Sequence, residues 1–444
     1  MESEIGGLSG LQKSLSKEPL KALLVSVYKG SAAGKATYQE HLEELALLAQ
    51  TYGLEVLHKV TCAIRRYDSA NYVTEGKLQE LVDLAKEYQV DLVVFDDEIA
   101  PSQQRNLEKA FKVPVIDRTE LILGVFGQRA RTKEARLQIE LAKVKYEAPR
   151  LKRLWTHLSR QAGTAGASGG GGGGGYTKGE GEKQIEIDKR ILRRKIDQLQ
   201  DEIKEVKGHR ETQRNSRQRS QIPVFAIIGY TNAGKSTLLN ALTNAGVLVE
   251  DKLFATLDTT TRKFQMSNGQ EILLIDTVGF IRKLPHLVVA AFKSTLEEAF
   301  QSNVLLHMID VNHPMAEEQA ETTYEVLREL NSESTPVITV LNKVDLCADK
   351  QMIARMKVKY PKTVEISALN HIGFENLQDL MIEELSRQRQ VLDLIIPQSD
   401  YAVVSEITRT GHVITQDYEA NDVLLKIELP FALVEKVKKY MKIP

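Results

Sequence analysis

Residues Val224–Ile228 (VFAII) form an apolar run that passes without a spacer into Gly229-Tyr-Thr-Asn-Ala-Gly-Lys-Ser236, and a helical pattern begins at Thr237–Leu242. A strand that turns through two glycines into a helix gathers backbone N–H groups and a helix N-terminus around one point, and that point attracts phosphate. Such a turn sits at the carboxyl end of a parallel strand, so this part of the chain must be α/β. Gly229 and Gly234 let the backbone curl, and Tyr230, Thr231, Asn232 and Ala233 complete the loop. Lys235 is placed to reach the β- and γ-phosphates, and the Ser236 hydroxyl to ligate magnesium.

Three more strings follow in order, each after an apolar run. Glu271–Ile275 ends in Asp276-Thr277-Val278-Gly279, Val337–Leu341 in Asn342-Lys343-Val344-Asp345, and Thr363–Ile366 in Ser367-Ala368-Leu369. The expected roles differ. Asp276 belongs on the magnesium side through its water shell, and Gly279 offers an N–H to the γ-phosphate. The Asp345 carboxylate can accept from both the ring N–H and the exocyclic amine of guanine, which adenine lacks, so GTP is selected over ATP. Ser367–Leu369 would close over the guanine O6 with a backbone N–H. Between the first two elements lies Phe254-Ala255-Thr256-Leu257-Asp258, a switch segment in which Thr256 is the choice for magnesium and γ-phosphate, with Thr259, Thr260 and Thr261 as rivals. Lys235, Thr256 and Gly279 are thus the candidate catalytic residues.

Many related GTPases place a water-orienting Gln after this glycine, but here Phe280 follows, then Ile281. Slow intrinsic hydrolysis, raised by a bound partner that reorders the switch loops, is therefore expected. Asn232 reads in two ways: its carboxamide oxygen helps hold a monovalent cation such as K⁺ beside the phosphates, or it stabilises the turn.

A length of 444 residues exceeds one core of ordinary size. The pattern divides into an N-terminal α/β domain (1–125), a two-helix coiled hairpin with a linker (126–221), a GTPase domain (222–390) and a small α+β C-terminal domain (391–444). In the first, Leu23–Val27, Glu55–Val60, Leu92–Phe95 and Val113–Ile116 read as strands, and Tyr38–Tyr52, Glu75–Tyr88 and Ser102–Phe111 as helices. Gly30–Lys35 (GSAAGK) resembles a truncated phosphate loop, but no Ser or Thr follows the Lys, and a surface loop is expected. In the last, Asp400–Ile407, Gly411–Thr415 and Asn421–Leu429 look extended and Phe431–Met441 helical.

The second stretch has a heptad period. Leu137, Leu141, Val144, Ala148, Leu151, Trp155 and Leu158 form one seam, and Leu192, Ile196, Leu199, Ile203 and Val206 another. An antiparallel hairpin is expected, with Pro149 kinking or breaking the first helix. Its tip is Gly163–Gly175, which includes seven consecutive glycines and serves as a flexible connection. The net charge of −1 hides an asymmetry: Arg129–Arg160 carries +7 and Lys178–Ser220 +4, so the remainder is near −12. That pattern suits local contact with a polyanion or, read plainly, a solvated helical face. Arg129, Arg131, Arg136, Arg153, Arg160, Arg193 and Arg194 are candidate phosphate contacts. No apolar run approaches the roughly 20 residues that span a bilayer. With no secretory or transit pattern and only Cys62 and Cys347, a reducing cytoplasm is expected; the protein is also expected to be a monomer.

The chain resembles the HflX family of translational GTPases in Asp96–Glu108 (DDEIAPSQQRNLE), Val115–Leu121 (VIDRTEL), Gln128–Leu137 (QRARTKEARL), His157–Gln161 (HLSRQ), Phe254–Asp258 and Asp276–Ile281 (DTVGFI). The resemblance covers nearly the whole chain. It implies GTP hydrolysis with Mg²⁺ ligated by Ser236 and Thr256, binding to the large ribosomal subunit and its rRNA, and separation of the subunits of stalled or stressed ribosomes. It also implies that the five segments named above line the nucleotide. One departure stands out: the family carries a GPGETQ-like string where Gly179–Gln184 here reads GEGEKQ. A GTP switch in ribosome assembly and a protein-interaction adaptor are the alternatives.

Overall fold

The computed structural model describes residues 19–30, 35–150, 187, 189–206, 208, 222–243, 253–254, 259–285, 302–329 and 335–441. It forms two compact units: Met1–Lys207 with Glu250–Asp258 and Lys283–Ser294, and Gly208–Val249 with Thr259–Arg282 and Thr295–Pro444.

The first unit is built on a parallel sheet of order β2-β1-β3-β4, from Lys21–Lys29 (β1), Glu55–Ile64 (β2), Leu92–Phe95 (β3) and Val115–Asp117 (β4). Leu23, Leu24, Val93 and Val94 are fully buried, as strands covered on both faces require. The helices Lys35–Tyr52, Glu75–Glu87, Pro101–Phe111 and Arg118–Arg129 connect and follow the strands. Asp117 ends β4 and caps the next helix, its Oδ1 accepting from the Glu120 N–H at 2.9 Å. Of the Gly30–Lys35 loop, residues 31–34 lie outside the described residues.

A denser set of charges closes the carboxyl end of this sheet. Asp96 follows β3 and accepts from Arg118 Nη1 at 2.8 Å; Arg118 also pairs with Glu44, and each of Asp96 and Arg118 is 1% exposed. Lys283 reaches Asp96 at 3.4 Å and pairs with Asp97. Arg150 meets Asp117 at 3.3 Å and donates to the Ile99 carbonyl at 2.9 Å. Burial pushes the Asp117 carboxyl up to about 6, against the pull of the Glu120 N–H and Arg150. Phe254 is buried in the same unit, edge-to-face with Phe126 at 4.4 Å between ring centroids.

The helix Lys133–Glu147, capped by Thr132, gives way to a 3-10 turn at Ala148–Arg150, so Pro149 does end the regular helix. Leu137, Leu141, Val144 and Ala148 pack with Leu192, Ile196, Leu199, Ile203 and Val206 of the helix over residues 189–206, and the two heptad seams meet as expected. Leu151, Trp155, Leu158, Arg153, Arg160, the glycine run and Gly179–Gln184 lie outside the described residues.

The second unit contains a six-stranded sheet of order β10-β9-β8-β5-β7-β6. Its strands are Val224–Gly229 (β5), Thr260–Gln265 (β6), Glu271–Asp276 (β7), Val304–Asp310 (β8), Val337–Asn342 (β9) and Thr363–Glu365 (β10). All are parallel except the edge strand β6. Helices Lys235–Thr243, Ala316–Glu329, Lys350–Lys359 and Phe374–Ser386 accompany it. A three-stranded antiparallel sheet of order β11-β13-β12 follows, from Arg389–Pro397 (β11), His412–Glu419 (β12) and Asp422–Pro430 (β13).

One sequence expectation fails here. Asp400–Ile407 is not extended: Tyr401–Thr410 is a helix. Val404 and Ile407, three apart, are both buried, and helical spacing brings them to the core that a strand would split between two faces. The expected helix at the end is present as Phe431–Val437, continued by a 3-10 turn at Lys438–Tyr440.

Candidate functional site

The phosphate loop bridges β5 and the helix Lys235–Thr243, as the motif demands. Two of its residues must be glycine. Gly229 has φ +141°, and a Cβ there would lie 2.3 Å from the Met308 carbonyl oxygen; Gly234 has φ +97°, and a Cβ would lie 2.2 Å from Asn342 Nδ2. Asn232 also lies in the left-handed region, at φ +61°, where Asn is better tolerated than most residues. The Lys235 ammonium donates to the Tyr230 carbonyl at 2.7 Å. Its burial depresses the pKa to about 8 from an ordinary 10.5, with the Asp276 carboxylate pulling the other way. Thr231 Oγ1 is buried with no hydrogen-bond partner among the described residues.

Asp276 ends β7, beside β5 in the sheet, and accepts from Ser236 Oγ at 2.7 Å. Two hard oxygen donors thus face each other at the start of the loop helix, which suits Mg²⁺ completed by phosphate oxygens and water. Thr277 is spent on structure, its hydroxyl donating to the Ile227 carbonyl at 2.7 Å. Gly279 is packed so closely that a Cβ would lie 2.7 Å from Thr231 Cγ2 and 2.9 Å from Lys235 Nζ. Phe280 turns its ring into the core, 2% exposed, and its backbone pairs with the loop: its N–H donates to the Gly229 carbonyl at 3.0 Å and its carbonyl accepts from the Thr231 N–H at 2.8 Å.

At the other end of the site, loops after adjacent strands β9 and β10 converge. Asn342 is buried and works as a brace, Nδ2 donating to the Ala233 carbonyl at 2.8 Å while Oδ1 accepts from the Ala368 N–H at 2.9 Å. It therefore ties the phosphate loop to Ser367–Leu369. Lys343 pairs with Asp310 at 2.6 Å, and Val344 N–H bonds the Ile366 carbonyl at 3.3 Å. Asp345 remains exposed, its Oδ2 accepting from Asn370 Nδ2 at 2.9 Å. Leu346 and Leu369, 60% and 76% exposed, offer apolar surface in the same two loops. Asn370, Leu346 and Asp310 were not singled out from sequence; contacts with Asp345 and Lys343 mark Asn370 and Asp310, and its exposure beside Asp345 marks Leu346.

The structure thus brings Gly229–Ser236, Asp276–Gly279, Asn342–Asp345 and Ser367–Leu369 to the carboxyl ends of neighbouring strands in one unit. Of Phe254–Asp258, Phe254 is described and buried in the first unit, whereas Ala255, Thr256, Leu257 and Asp258 lie outside the described residues. The rivals Thr260 and Thr261 belong to β6, paired with Asp276 and Ile275. Among the described residues no group of three or more His, Cys, Asp or Glu side chains could hold a metal by itself.

Comparison with known proteins places this geometry. Residues 39–127 match the family described as GTP-binding GTPase N-terminal, 129–217 the GTP-binding GTPase middle region, and 224–343 the 50S ribosome-binding GTPase. A GTPase HflX of Chlamydia pneumoniae is 45% identical over 96% of this chain and 89% of its own. The chain belongs to the HflX family of GTPases. Other HflX proteins agree: that of Caldanaerobacter subterraneus is 40% identical over 97% of this chain and 95% of its own, and that of Escherichia coli 41% identical over 81% and 83%. A solved GTP-binding protein from Sulfolobus solfataricus in complex with GDP is 24% identical over 83% of this chain and 99% of its own, at a TM-score of 0.43, too loose a likeness to carry geometry across. HflX membership thus makes the protein a GTPase, and no described helix is long and apolar enough to cross a membrane.

Proposed function

We propose that this GTPase binds the rRNA of the large ribosomal subunit and promotes separation of the subunits of stalled or stressed ribosomes, acting as a monomer in the cytoplasm. The observation that carries the reading is the match of residues 224–343 to a 50S ribosome-binding GTPase, on the segment that holds the phosphate loop. The four-part division of the chain at residues 125, 221 and 390 belongs to the same proposal, with the basic hairpin as the RNA contact. Arg136, Arg193 and Arg194 are exposed on its helices, and Arg131 is exposed just before the first of them. Arginines so placed would contact RNA phosphates, and binding would weaken steeply with salt.

In the nucleotide site, backbone N–H groups of Gly229–Ser236 cradle the phosphates and Lys235 binds the β- and γ-phosphates. The buried Thr231 hydroxyl, otherwise unsatisfied, gains a partner when phosphate arrives. Asp345 selects guanine, and Leu346 and Leu369 cover its faces. Mg²⁺ would be held by Ser236 and Thr256, with Asp276 acting through water, and would supply charge neutralisation on the phosphates. The left-handed backbone at Asn232 favours its role as a turn former; equal activity in sodium and potassium would bear that out, and a potassium requirement would restore the cation reading. With Phe280 buried, no side chain at that position orients water, so hydrolysis waits on the ribosome.

Sedimentation of intact ribosomes with the protein and GTP, or with a non-hydrolysable analogue, tests the function. Free subunits with either nucleotide are expected. Binding without splitting would favour a switch in ribosome assembly, and no shift at all an adaptor.

A further inference from the structure

Asp345 is the group proposed to read the base, and a side chain outside the expected nucleotide segments touches it. Asn370 Nδ2 donates to Asp345 Oδ2 at 2.9 Å, between loops that follow the adjacent strands β9 and β10. An exposed carboxylate turns freely unless something holds it, and here the amide does. Asn370 is itself held in place. Ser367 and Ile372 exchange two backbone bonds, each N–H donating to the other's carbonyl at 3.1 Å, and so close a turn over residues 368–371. Within it the Asn370 N–H donates to Ser367 Oγ at 3.2 Å. The start of the turn is tied to the phosphate loop through Asn342, which bonds both Ala368 and Ala233. The left-handed residue of the turn is His371, at φ +56°, so backbone geometry is not what calls for asparagine at position 370.

Guanine presents two donors side by side, its ring N–H and its exocyclic amine. A carboxylate meets both only when its plane lies along that edge of the base. Each carboxylate oxygen has two acceptor positions, so Asp345 Oδ2 can accept from Asn370 and from the base together. Hypoxanthine, which keeps the ring N–H and lacks the amine, needs one oxygen and sets no such demand on the plane.

We infer that Asn370 is a positioning residue for base selection: its amide orients the Asp345 carboxylate so that both oxygens meet guanine, and it thereby sets the preference for guanine over a base without the exocyclic amine. An acceptor already turned to its ligand loses less freedom on binding, which is the gain from preorganisation. The inference rests on the reading of Asp345 as the guanine acceptor.

The test is a titration of the full-length parent chain, Asn370→Ala, Asn370→Asp and Asp345→Ala with GDP and with inosine diphosphate. Asn370→Ala should lower GDP affinity about fivefold, the factor carried by one hydrogen bond of ordinary net strength, and inosine diphosphate affinity less than about twofold. Asn370→Asp keeps the shape of the side chain but sets a second carboxylate against Asp345, so GDP affinity should fall further than in the alanine variant. Added to Asp345→Ala, Asn370→Ala should change nothing, since no carboxylate remains to be oriented. Equal losses for the two nucleotides, no loss in Asn370→Ala, or an Asn370→Asp variant that binds GDP as the parent does would mean that Asn370 only shapes its turn, and each overturns the inference. Parent-like GDP affinity in Asp345→Ala would instead overturn the guanine reading of Asp345, and the inference with it.

Discussion

Both units place charged residues at the carboxyl ends of a parallel sheet, yet only one of these ends carries a glycine loop leading into a helix. In the N-terminal sheet the buried cations are matched by carboxylates: Arg118 pairs with Asp96 and Glu44, and Arg150 with Asp117. In the larger sheet the buried Lys235 ammonium bonds a neutral carbonyl, and burial depresses its pKa to about 8 although the Asp276 carboxylate pulls the other way. The carboxyl-end crevice is common property of open α/β sheets. What sets the second end apart is a glycine loop at the helix start and a buried cation bonded to a carbonyl, the combination on which the proposed phosphate site rests.

The largest expected effect breaks the matched end. Arg118→Ala leaves Asp96 charged, buried and short of its closest cation, which should cost about 3–5 kcal/mol in urea unfolding. GTP affinity of the fraction still folded should stay at the parent value. Arg118→Met with Asp96→Asn should recover part of the loss, since the uncompensated charge goes with the pair.

Specificity at the other end should respond more modestly. Asp345→Asn replaces an acceptor pair with an amide, so GTP affinity in a calorimetric titration should fall by about 1–3 kcal/mol, the range of one bidentate base contact. Discrimination against ATP should narrow by the same amount, whereas urea unfolding should not change, because Asp345 is exposed.

The smallest effect is set by pH. In the empty site the Lys235 ammonium loses its proton near pH 8, below its ordinary 10.5. Bound phosphates favour the charged form and raise that pKa, so binding takes up a proton above pH 8. GTP affinity should therefore be complete below pH 8 and fall above it, by at most tenfold per pH unit, about 1.4 kcal/mol. Titration between pH 7 and 9 reads this directly; affinity that rises over this range would mean that Lys235 is not the phosphate ligand.

Much of this was legible in the sequence because the signals were local. Val224–Ile228 running into Gly229–Ser236 fixes strand, turn and helix within a few residues, and the structure follows it. Leu92–Phe95 and the seams from Leu137 and Leu192 were equally plain, since apolar period alone decides them. Asp400–Ile407 failed because a short run with adjacent valines fits either period, and only packing against β11 and β13 settles it. The brace made by Asn342 was invisible for another reason: its partners, Ala233 and Ala368, become neighbours only when strands distant in sequence lie side by side.

Equilibrium dialysis with labelled GTP of the parent chain, Lys235→Ala and the Arg118→Met, Asp96→Asn pair tests the contrast between the two ends most directly. One GTP per chain is predicted for the parent and for the N-terminal pair, and binding weaker by about a hundredfold or more for Lys235→Ala, which loses charge-assisted bonds of about 1.5–3 kcal/mol each. Retention of GTP by Lys235→Ala, or its loss by the N-terminal pair while that chain remains folded, would contradict the assignment of the phosphate site to the second sheet.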